Sequence, residues 1–298
     1  MTVRRAAVLG SPIAHSLSPV LHRAAYRRLG LTDWEYAAFD VTEAQLPEFT
    51  AGLDRTWAGL SLTMPLKRAI LPLLAEVGPT ARVVEAVNTV LVQPDGSLHG
   101  ENTDVPGLVA ALAERGVTTA RSAAVLGGGA TAASAVAALA ALVNGATVND
   151  ATANDAAQAP SKSTVSIYLR SPARAAELEP VAAAHGLELR VRPWSEAAEA
   201  FETDLVVNTT PAGAADELAA AVPASVGTLF DVLYHPWPTP LAAAWLLRGA
   251  AVLGGQDLLV HQAVLQVELM TAGEEFAAGR AERSDLLVAM RFALAAKA

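Results

Sequence analysis

The sequence predicts an α/β protein of two domains, and three observations support this prediction. The chain has 298 residues, and at roughly 100–200 residues per domain this length accommodates two domains. In the N-terminal third of the chain, short β-like runs alternate with helical stretches, which is typical of a largely parallel sheet. From Ala123 onwards the same alternation begins again.

The individual elements follow from the spacing of apolar residues. In the first domain we predict strands at residues 6–9, 36–39, 59–62 and 88–92 and helices at 20–29 and 66–74. After the restart we predict strands at 123–126, 166–169, 189–191, 205–208 and 228–232, with helices at 130–143, at 256–270 and near the C-terminus.

Composition excludes several classes of partner. With 21 basic and 30 acidic residues the net charge is −9, and no dense run of like charge marks a surface for nucleic acid or an anionic membrane. The uncharged run at 122–149 is broken by three glycines, and its apolar part is too short to cross a bilayer. Cysteine is absent, so we expect no disulfide and no metal site, and a cytoplasmic protein.

A glycine-rich turn follows the strand predicted at 123–126. The pattern G-x-G-x-x-A runs from Gly127 to Ala132 and opens a helix. Its first glycine permits the tight turn, its second lets the backbone approach a pyrophosphate, and its small last residue allows helix and strand to pack closely. Phosphate oxygens would then accept from the N–H groups at the helix N-terminus. The alternative is an ordinary turn between a buried strand and a helix.

The end of the following strand favours NADP over NAD. A free ribose 2′-hydroxyl usually meets an acidic residue at this point, whereas a 2′-phosphate meets arginine. The chain has Arg170 and Arg174 there and no acidic residue between them. In the alternative interpretation both are solvated helix-end charges. About forty residues separate the glycines from this point, instead of the usual ~20, so we interpret the low-complexity stretch 144–163 as an inserted loop.

One lysine lies where proton chemistry could use it. The three lysines of the chain stand at positions 67, 162 and 297, and Lys67 is the only one in a well-patterned segment. A lysine whose pKa is lowered by burial exchanges protons, whereas arginine does not. The alternative is chance, because most lysines are solvated surface residues.

Polar residues follow several strands of the first domain. The segments 85–90 and 100–107 bring amides and hydroxyls to strand ends, where polar side chains converge on a cleft in open α/β sheets. Each segment is also typical of a turn. The segment 10–19 is either a loop with a helix cap at Ser18 or a hydroxyl-rich surface for a polyol.

Taken together, these segments resemble the shikimate dehydrogenase family over nearly the whole chain. The motifs are H-S-L-S-P at 15–19, the counterpart of G-x-N-V-T-x-P-x-K at 59–67, A-V-N-T at 86–89, G-x-N-T-D at 100–104, the glycine-rich turn, N-x-T-P-x-G at 208–213, D-x-x-Y-x-P at 231–236, and Gly255 seven residues before Gln262. This family reduces 3-dehydroshikimate to shikimate with NADPH, on the route to chorismate and the aromatic amino acids.

The resemblance implies a division of the chain and a set of site residues. A substrate domain would comprise residues 1–106 and 256–298, with a mostly parallel sheet completed by the C-terminal helices, and a Rossmann-like domain would comprise 107–255. Lys67, as acid/base or charge stabiliser, and Asp104 would form the catalytic pair. The substrate would be held by Ser16, Ser18, Thr63, Asn88, Tyr234 and Gln262. The cofactor would be held by Gly127, Gly128, Gly129, Ala130, Thr131, Arg170, Ser171, Arg174, Thr209, Val232 and Gly255.

The chain departs from the family pattern at several positions. Ser61 stands where the family usually has asparagine, Arg23 where asparagine commonly follows the histidine, and Leu169 where asparagine precedes the arginine. Two alternatives therefore stay open: a dehydrogenase of quinate or an amino-substituted analogue that uses NAD, and a non-catalytic cofactor-binding regulator. We expect a small-molecule substrate, no nucleic acid and no membrane as partners, with a homodimer as one possible assembly.

Overall fold

The computed structural model of the chain describes residues 3–144, 163–272 and 282–297. The predicted insertion at 144–163 therefore lies, apart from its two end residues, outside the described residues. The chain divides into two compact units, which we call the first unit, Met1–Thr103 with Leu259–Ala298, and the second unit, Asp104–Leu258.

The described residues form twelve strands and ten α-helices. The strands are β1 (Arg4–Gly10), β2 (Trp34–Asp40), β3 (Trp57–Leu62), β4 (Glu76–Val77), β5 (Thr89–Val92), β6 (Leu98–Glu101), β7 (Ala123–Leu126), β8 (Thr164–Leu169), β9 (Glu188–Pro193), β10 (Leu205–Asn208), β11 (Thr228–Asp231) and β12 (Val252–Leu253). The helices are α1 (Ser18–Leu29), α2 (Leu46–Ala51), α3 (Leu66–Ala69), α4 (Pro79–Val84), α5 (Asp104–Glu114), α6 (Ala130–Val143), α7 (Glu179–Ala184), α8 (Pro240–Leu247), α9 (Gly255–Met270) and α10 (Arg283–Ala295). Four 3₁₀ helices span Leu71–Leu73, Pro172–Glu177, Trp194–Glu202 and Asp216–Ala221.

The sheet of the first unit has the order β2-β1-β3-β5-β6-β4. Only β5 runs against the others, because it pairs antiparallel with both β3 and β6. The prediction of a mostly parallel sheet is confirmed. Two of its strands, β4 and β6, were not predicted. β4 has only two residues, and β6 contains one apolar side chain, that of Leu98, so neither shows an apolar run.

Both faces of this sheet are buried, which explains the uninterrupted apolar run of β1. Ala6 and Val8 pack on one side with residues of α1, α9 and α10. Ala7 and Leu9 pack on the other side with residues of α2 and α3. Strands covered on both faces have no alternation of apolar and polar residues.

Two details of the first unit differ from the sequence prediction. The predicted cap at Ser18 is wrong, because α1 already begins at Ser18 and its N-cap is Leu17, with no capping hydrogen bond from a side chain. The predicted helix at 66–74 is divided into α3 and a 3₁₀ turn, Leu71–Leu73. Pro72 lacks the N–H that an α-helix needs at this point, and its ring would clash with the preceding turn.

The second unit is a doubly wound α/β fold. Its six strands are all parallel in the order β12-β11-β10-β7-β8-β9, which is the strand order of dinucleotide-binding folds read from the other edge. The Rossmann-like prediction is confirmed. The strand order reverses between β7 and β10, and ligands of such sheets bind at this switch point, outside the carboxyl ends of the strands.

Residues 122–143 of the uncharged run supply the centre of the second unit. They form β7, which is buried throughout, and α6, in which ten of fourteen residues are buried. The small side chains of its alanines let the helix lie close to the sheet. Among the described residues, no helix combines the length and the apolar character needed to cross a membrane.

Trp245 of α8 provides a test of the packing of the second unit. Its ring is fully buried edge-on against Phe201, with ring centroids 4.9 Å apart, and its Nε1 donates to the carbonyl oxygen of Gly227 at 2.9 Å. We expect Trp245→Phe to lower the free energy of unfolding by about 2 kcal/mol, since it removes this hydrogen bond and leaves a void. Leu247→Ala is the control, because Leu247 lies on the same helix and is 81% exposed. Equal denaturation midpoints in urea for the two variants would contradict this assignment.

Candidate active site

The ends of four strands in the first unit meet at one edge of the sheet. β1 ends at Gly10, β3 at Leu62 and β6 at Glu101. Because β5 is antiparallel to its neighbours, it begins at this same edge, where Thr89 pairs with Ser61 and Glu101. The loops that carry Ser16, Thr63, Asn88 and Thr103 therefore all adjoin this edge, as the polar clusters in the sequence predict.

Backbone hydrogen bonds join the loop after β3 to the strands beside it. The N–H of Thr63 donates to the carbonyl oxygen of Leu9 at 2.9 Å, and the N–H of Val87 donates to that of Lys67 at 2.8 Å. Lys67 lies in α3 and is half-buried. Its backbone is thus tied directly to the segment that leads into Asn88.

The side chain of Asn88 is oriented by an unambiguous donor. The backbone N–H of Thr103 donates to its Oδ1 at 2.8 Å, and a backbone N–H has no other role. Its Nδ2 therefore faces the other way, and it donates to Thr103 Oγ1 at 2.9 Å and to Gln262 Oε1 at 3.4 Å. Gln262, buried on α9, donates in turn from Nε2 to the carbonyl oxygen of Leu259 at 2.9 Å. Two predicted substrate residues, Asn88 and Gln262, are thus in contact.

The two predicted serines form a second group on the loop before α1. The backbone N–H of Ser18 donates to Ser16 Oγ at 3.4 Å. Ser18 is buried, and Ser16 and Thr63 are half-buried. Of the other predicted residues, Asp104 and Tyr234 belong to the second unit, where Asp104 is the first residue of α5.

The glycine-rich turn of the second unit lies at the switch point. The N–H of Gly127 donates to the carbonyl oxygen of Tyr168 at 3.1 Å, and Thr209 donates from both N and Oγ1 to that of Leu126 at 2.9 Å. Gly127 has a φ of +108°, and a Cβ at this position would lie 2.7 Å from Thr209 Oγ1. Only glycine fits here, both for its backbone conformation and for space.

The second glycine of the turn lies under two side chains from the end of β8. A Cβ on Gly128 would lie 2.7 Å from Leu169 Cδ2 and 3.0 Å from the Cβ of Arg174. Leu169, which departs from the family pattern, therefore packs against the turn. Arg174 is held beside the turn, and its exposed guanidinium forms an ion pair with Glu177 at 3.6 Å. Arg170 and Ser171 follow β8 directly and are exposed.

The start of α6 is open in the way that a dinucleotide phosphate requires. Gly129 is the N-cap residue of this fourteen-residue helix. No heavy atom of the neighbouring described residues lies within 4 Å of the point where its Cβ would be. Ala130 and Thr131 follow it and are half-buried. The unpaired N–H groups of a helix start, with the positive end of the helix dipole, favour an anion there, so the turn fits the pyrophosphate of the predicted cofactor.

The remaining predicted residues line the loop after β11. The N–H of Val232 donates to the carbonyl oxygen of Asn208 at 3.0 Å, and that of Gly255 donates to the carbonyl oxygen of Leu233 at 3.0 Å. Asp231 holds the start of the loop, because its Oδ2 accepts from Thr239 Oγ1 at 2.7 Å. Burial raises the pKa of the Asp231 carboxyl, and burial also raises the pKa of the Tyr234 phenol.

Sequence reasoning missed a buried polar cluster beside Asn88. It consists of His22, Tyr36, Ser61 and Gln266, all buried, and we call it the Gln266 cluster. Gln266 Nε2 donates to the carbonyl oxygen of Asn88 and to Thr89 Oγ1, each at 3.0 Å. One signal was present in the sequence, since Gln266 lies four residues after Gln262 and hence on the same face of the helix. Tyr36 gave no signal, because it lies within an apolar strand.

The hydrogen bonds of the cluster converge on Gln266 Oε1. Gln266 Oε1 accepts from Ser61 Oγ at 2.8 Å and faces His22 Nε2 at 3.2 Å, and Tyr36 OH donates to Ser61 Oγ at 2.6 Å. His22 stacks on Tyr36 with ring centroids 3.9 Å apart. Arg23, another departure from the family pattern, donates from Nε and from a terminal guanidinium nitrogen to the carbonyl oxygen of Tyr36, so it secures the strand that carries this ring.

His22 stays neutral inside the folded protein. Burial lowers its pKa to about 3, and the hydrogen bond to Gln266 only partly opposes this effect. Because Gln266 Oε1 only accepts, His22 Nε2 must carry the ring proton. Its Nδ1 is buried and has no hydrogen-bond partner within the described part of the chain.

The two units together define a class. In the second unit, a doubly wound sheet with a glycine-rich turn at its switch point is the architecture of a dinucleotide-binding protein. The first unit adds a cluster of polar residues at one edge of its own sheet. Residues 8–90 match the family model described as the shikimate dehydrogenase substrate binding domain. The chain belongs to the shikimate dehydrogenase family.

Named relatives and solved structures support this membership over nearly the whole chain. The chain is 37% identical to a shikimate dehydrogenase (NADP(+)) of Thermus thermophilus, covering 93% of this chain and 98% of that protein. The crystal structure of Mycobacterium tuberculosis shikimate dehydrogenase aligns with a TM-score of 0.81 at 36% identity, covering 97% of this chain and 99% of that one. The crystal structure of a shikimate 5-dehydrogenase from a second Thermus thermophilus strain, in complex with NADP(H) and shikimate, aligns with a TM-score of 0.75 at 32% identity, covering 98% and 100%.

The neutral state of His22 predicts a pH dependence of stability. Its pKa in the folded chain is below the ordinary value of 6.5, so the unfolded chain takes up a proton first as the pH falls. Stability is therefore fully present above about pH 6.5 and is lost towards pH 3, at up to about 1.4 kcal/mol per pH unit.

The variant His22→Gln isolates this effect, because an amide donates to Gln266 without titrating. Between pH 7 and pH 5 we expect the wild-type protein to lose about 2 kcal/mol more unfolding free energy than the variant. Urea denaturation of both proteins at several pH values measures the difference. Parallel curves would show that the pKa of His22 is the same in the folded and unfolded chain, which contradicts its lowering by burial.

Proposed function

We propose that this protein catalyses the reversible NADPH-dependent reduction of 3-dehydroshikimate to shikimate. The observation that carries the proposal is the contact between Asn88 and Gln262 at 3.4 Å. These residues are 174 positions apart in the sequence, and the family resemblance assigns both to the substrate. The substrate domain in this proposal comprises residues 1–106 and 256–298, and the dinucleotide domain comprises 107–255.

The polar residues of the substrate domain suit a polyhydroxylated ring acid. Hydroxyls of Ser16, Ser18 and Thr63 offer donors and acceptors to a carboxylate and to ring hydroxyls. Tyr234, from the dinucleotide domain, is proposed to add a further hydroxyl. Asn88 offers donors rather than acceptors on the side of Gln262, because its Oδ1 is already occupied by Thr103 and Thr89.

Lys67 is the group proposed to act on the ketone oxygen. Bound NADPH supplies a hydride to the ketone carbon. Negative charge then develops on the oxygen, and a cationic lysine stabilises that charge and donates a proton to it. Asp104 is proposed to orient the Lys67 ammonium and to help hold its charge.

The cofactor residues divide by chemistry. Gly127, Gly128 and Gly129, with the N–H groups of Ala130 and Thr131, would hold the pyrophosphate. Arg170, Ser171 and Arg174 would hold the 2′-phosphate, since arginine forms charge-assisted hydrogen bonds with phosphate. Thr209, Val232 and Gly255, on the loops after β10 and β11 and at the start of α9, would border the rest of the dinucleotide.

A steady-state assay tests the proposal directly. Oxidation of shikimate is followed through the absorbance of NADPH, beside quinate and with NAD⁺ in place of NADP⁺. We expect the highest kcat/KM for shikimate with NADP⁺. A preference for quinate with NAD⁺ would support the alternative dehydrogenase instead. The ion pair of Arg174 with Glu177 favours this alternative, because it partly neutralises an arginine proposed to bind the 2′-phosphate. No turnover, with intact cofactor binding, would support the regulator.

Substitution of Lys67 separates its two proposed roles. We expect Lys67→Ala to lower kcat by about 10²-fold or more, because general acid catalysis has this size. Lys67→Arg keeps the charge but does not release a proton, so partial recovery by arginine would indicate charge stabilisation. Lys297→Ala is the control, since Lys297 is an exposed lysine near the C-terminus. An unchanged kcat in Lys67→Ala removes Lys67 from the mechanism.

Substitution of Arg174 tests the choice of cofactor. We expect Arg174→Ala to raise the KM for NADP⁺ about tenfold, the effect of losing one charge-assisted hydrogen bond, and to leave the KM for NAD⁺ within twofold. Arg121→Ala is the matched control, because Arg121 forms an exposed ion pair with Asp204 at the opposite end of β7. Equal effects on both cofactors would place Arg174 outside the 2′-phosphate site.

The assembly and compartment are part of the same proposal. We propose a cytoplasmic protein, with which the absence of cysteine is compatible, and a homodimer as the assembly to be tested. Light scattering during size-exclusion chromatography measures the mass and would exclude a dimer if it returned that of one 30.7 kDa chain.

A further inference from the structure

We propose that Gln266 is a positioning residue for the substrate, which it serves by holding Asn88 in one orientation. The inference rests on the proposed function, in which Asn88 contacts the substrate. Gln266 itself lies behind Asn88, and its side chain reaches the Asn88 carbonyl oxygen at 3.0 Å.

The amide of Gln266 has only one orientation that satisfies its neighbours. The carbonyl oxygen of Asn88 can only accept, so the group 3.0 Å from it is Nε2. Oε1 then faces Ser61 and His22, and both of these donate to it. A rotation of the amide by 180° would place an acceptor against an acceptor at Asn88, which makes the orientation costly to reverse.

Gln266 controls Asn88 through two routes. The first is the direct bond to the Asn88 carbonyl oxygen, which also accepts from the N–H of Leu62 at 2.8 Å. The second passes through Thr89, whose Oγ1 accepts from Gln266 and therefore directs its own hydrogen to Asn88 Oδ1 at 2.9 Å. Both routes leave Asn88 Nδ2 on the side of Gln262. Gln266 thus sets which group of Asn88 faces that side, where a substrate hydroxyl would accept from Nδ2 in place of the 3.4 Å contact with Gln262 Oε1.

The location of the cluster argues for a role beyond packing. A buried polar group stabilises a fold no better than an apolar residue of similar shape, and it is costly when one partner is missing. This cluster joins α1, β2, β3 and α9 through side chains, and its bonds to the β5 segment go to Asn88 and Thr89. Its polar character is therefore directed at the segment that carries a proposed substrate residue.

The test is the variant Gln266→Met, which keeps the length of the side chain and removes both polar groups. We expect the KM for shikimate to rise about tenfold, since small misplacements of a binding group have effects of this size. We expect kcat to change less than threefold and the KM for NADP⁺ less than twofold. A calorimetric titration with shikimate should show the same weakening without turnover.

The matched control is Thr271→Val, at the residue that directly follows α9. Thr271 is buried, and its hydroxyl bonds to backbone carbonyl oxygens of α9. It loses a buried hydrogen bond as Gln266→Met does, but these bonds give it no route to Asn88. We expect its KM for shikimate to equal that of the wild-type protein. If both variants raise this KM alike, the effect is general loosening of the helix, and the inference is wrong.

A double variant shows whether Gln266 acts through Asn88. In an Asn88→Ala background, Gln266→Met should change the KM for shikimate less than twofold, because the group that it positions is gone. Additive effects would overturn the inference. Ser61→Ala, which removes one donor to Gln266 Oε1, replaces Gln266→Met if that variant does not fold, and we expect a smaller rise in the same KM.

The outcomes distinguish this inference from the proposed function. A wild-type protein that neither binds nor turns over shikimate refutes the proposed function and the inference with it. A wild-type protein that is active on shikimate, together with an unchanged KM in Gln266→Met, refutes only the role of Gln266.

Discussion

The polar side of the first unit depends on the reversed direction of β5. Because this strand alone runs against its neighbours, its first residues lie at the edge where β1, β3 and β6 end. Asn88 therefore meets Thr103 from the segment after β6 and Gln262 from α9. A parallel β5 would place this asparagine at the opposite edge, away from Lys67 and Thr63, and the convergence of polar groups would be lost.

The second unit depends on a comparable constraint at Gly127. The turn after β7 has to pass within hydrogen-bonding distance of the ends of both β8 and β10, and no side chain fits between Gly127 and Thr209. This close approach leaves the start of α6 open, with Gly129 clear of its described neighbours. The turn is crowded at Gly128 as well, because the side chain of Leu169 and the Cβ of Arg174 lie against it. The guanidinium of Arg174 is exposed and forms an ion pair with Glu177.

Some element boundaries follow from sequence patterns, and others do not. β7, β10 and α6 have the predicted boundaries, because the residues of these buried elements are apolar apart from Asn208, Thr131 and Ser134. The helix at 66–74 was predicted too long, since apolar residues continue past Pro72 although the proline interrupts the backbone bonds. The cap at Ser18 was misplaced by one residue. Cap position depends on backbone angles that a serine does not reveal, and helix ends are the least certain part of such a prediction.

The sequence by itself determined the α/β class, the dinucleotide turn, the arginines after β8 and the residues that resemble the family motifs. These are local features, in which neighbouring residues set the period, the turn or the charge. Only the tertiary structure decided that Asn88 is held by Thr103, Gln262 and Gln266, and that His22 is neutral in the core. Those contacts join residues up to 244 positions apart, and their hydrogen-bond directions and pKa values depend on burial, which no local pattern records.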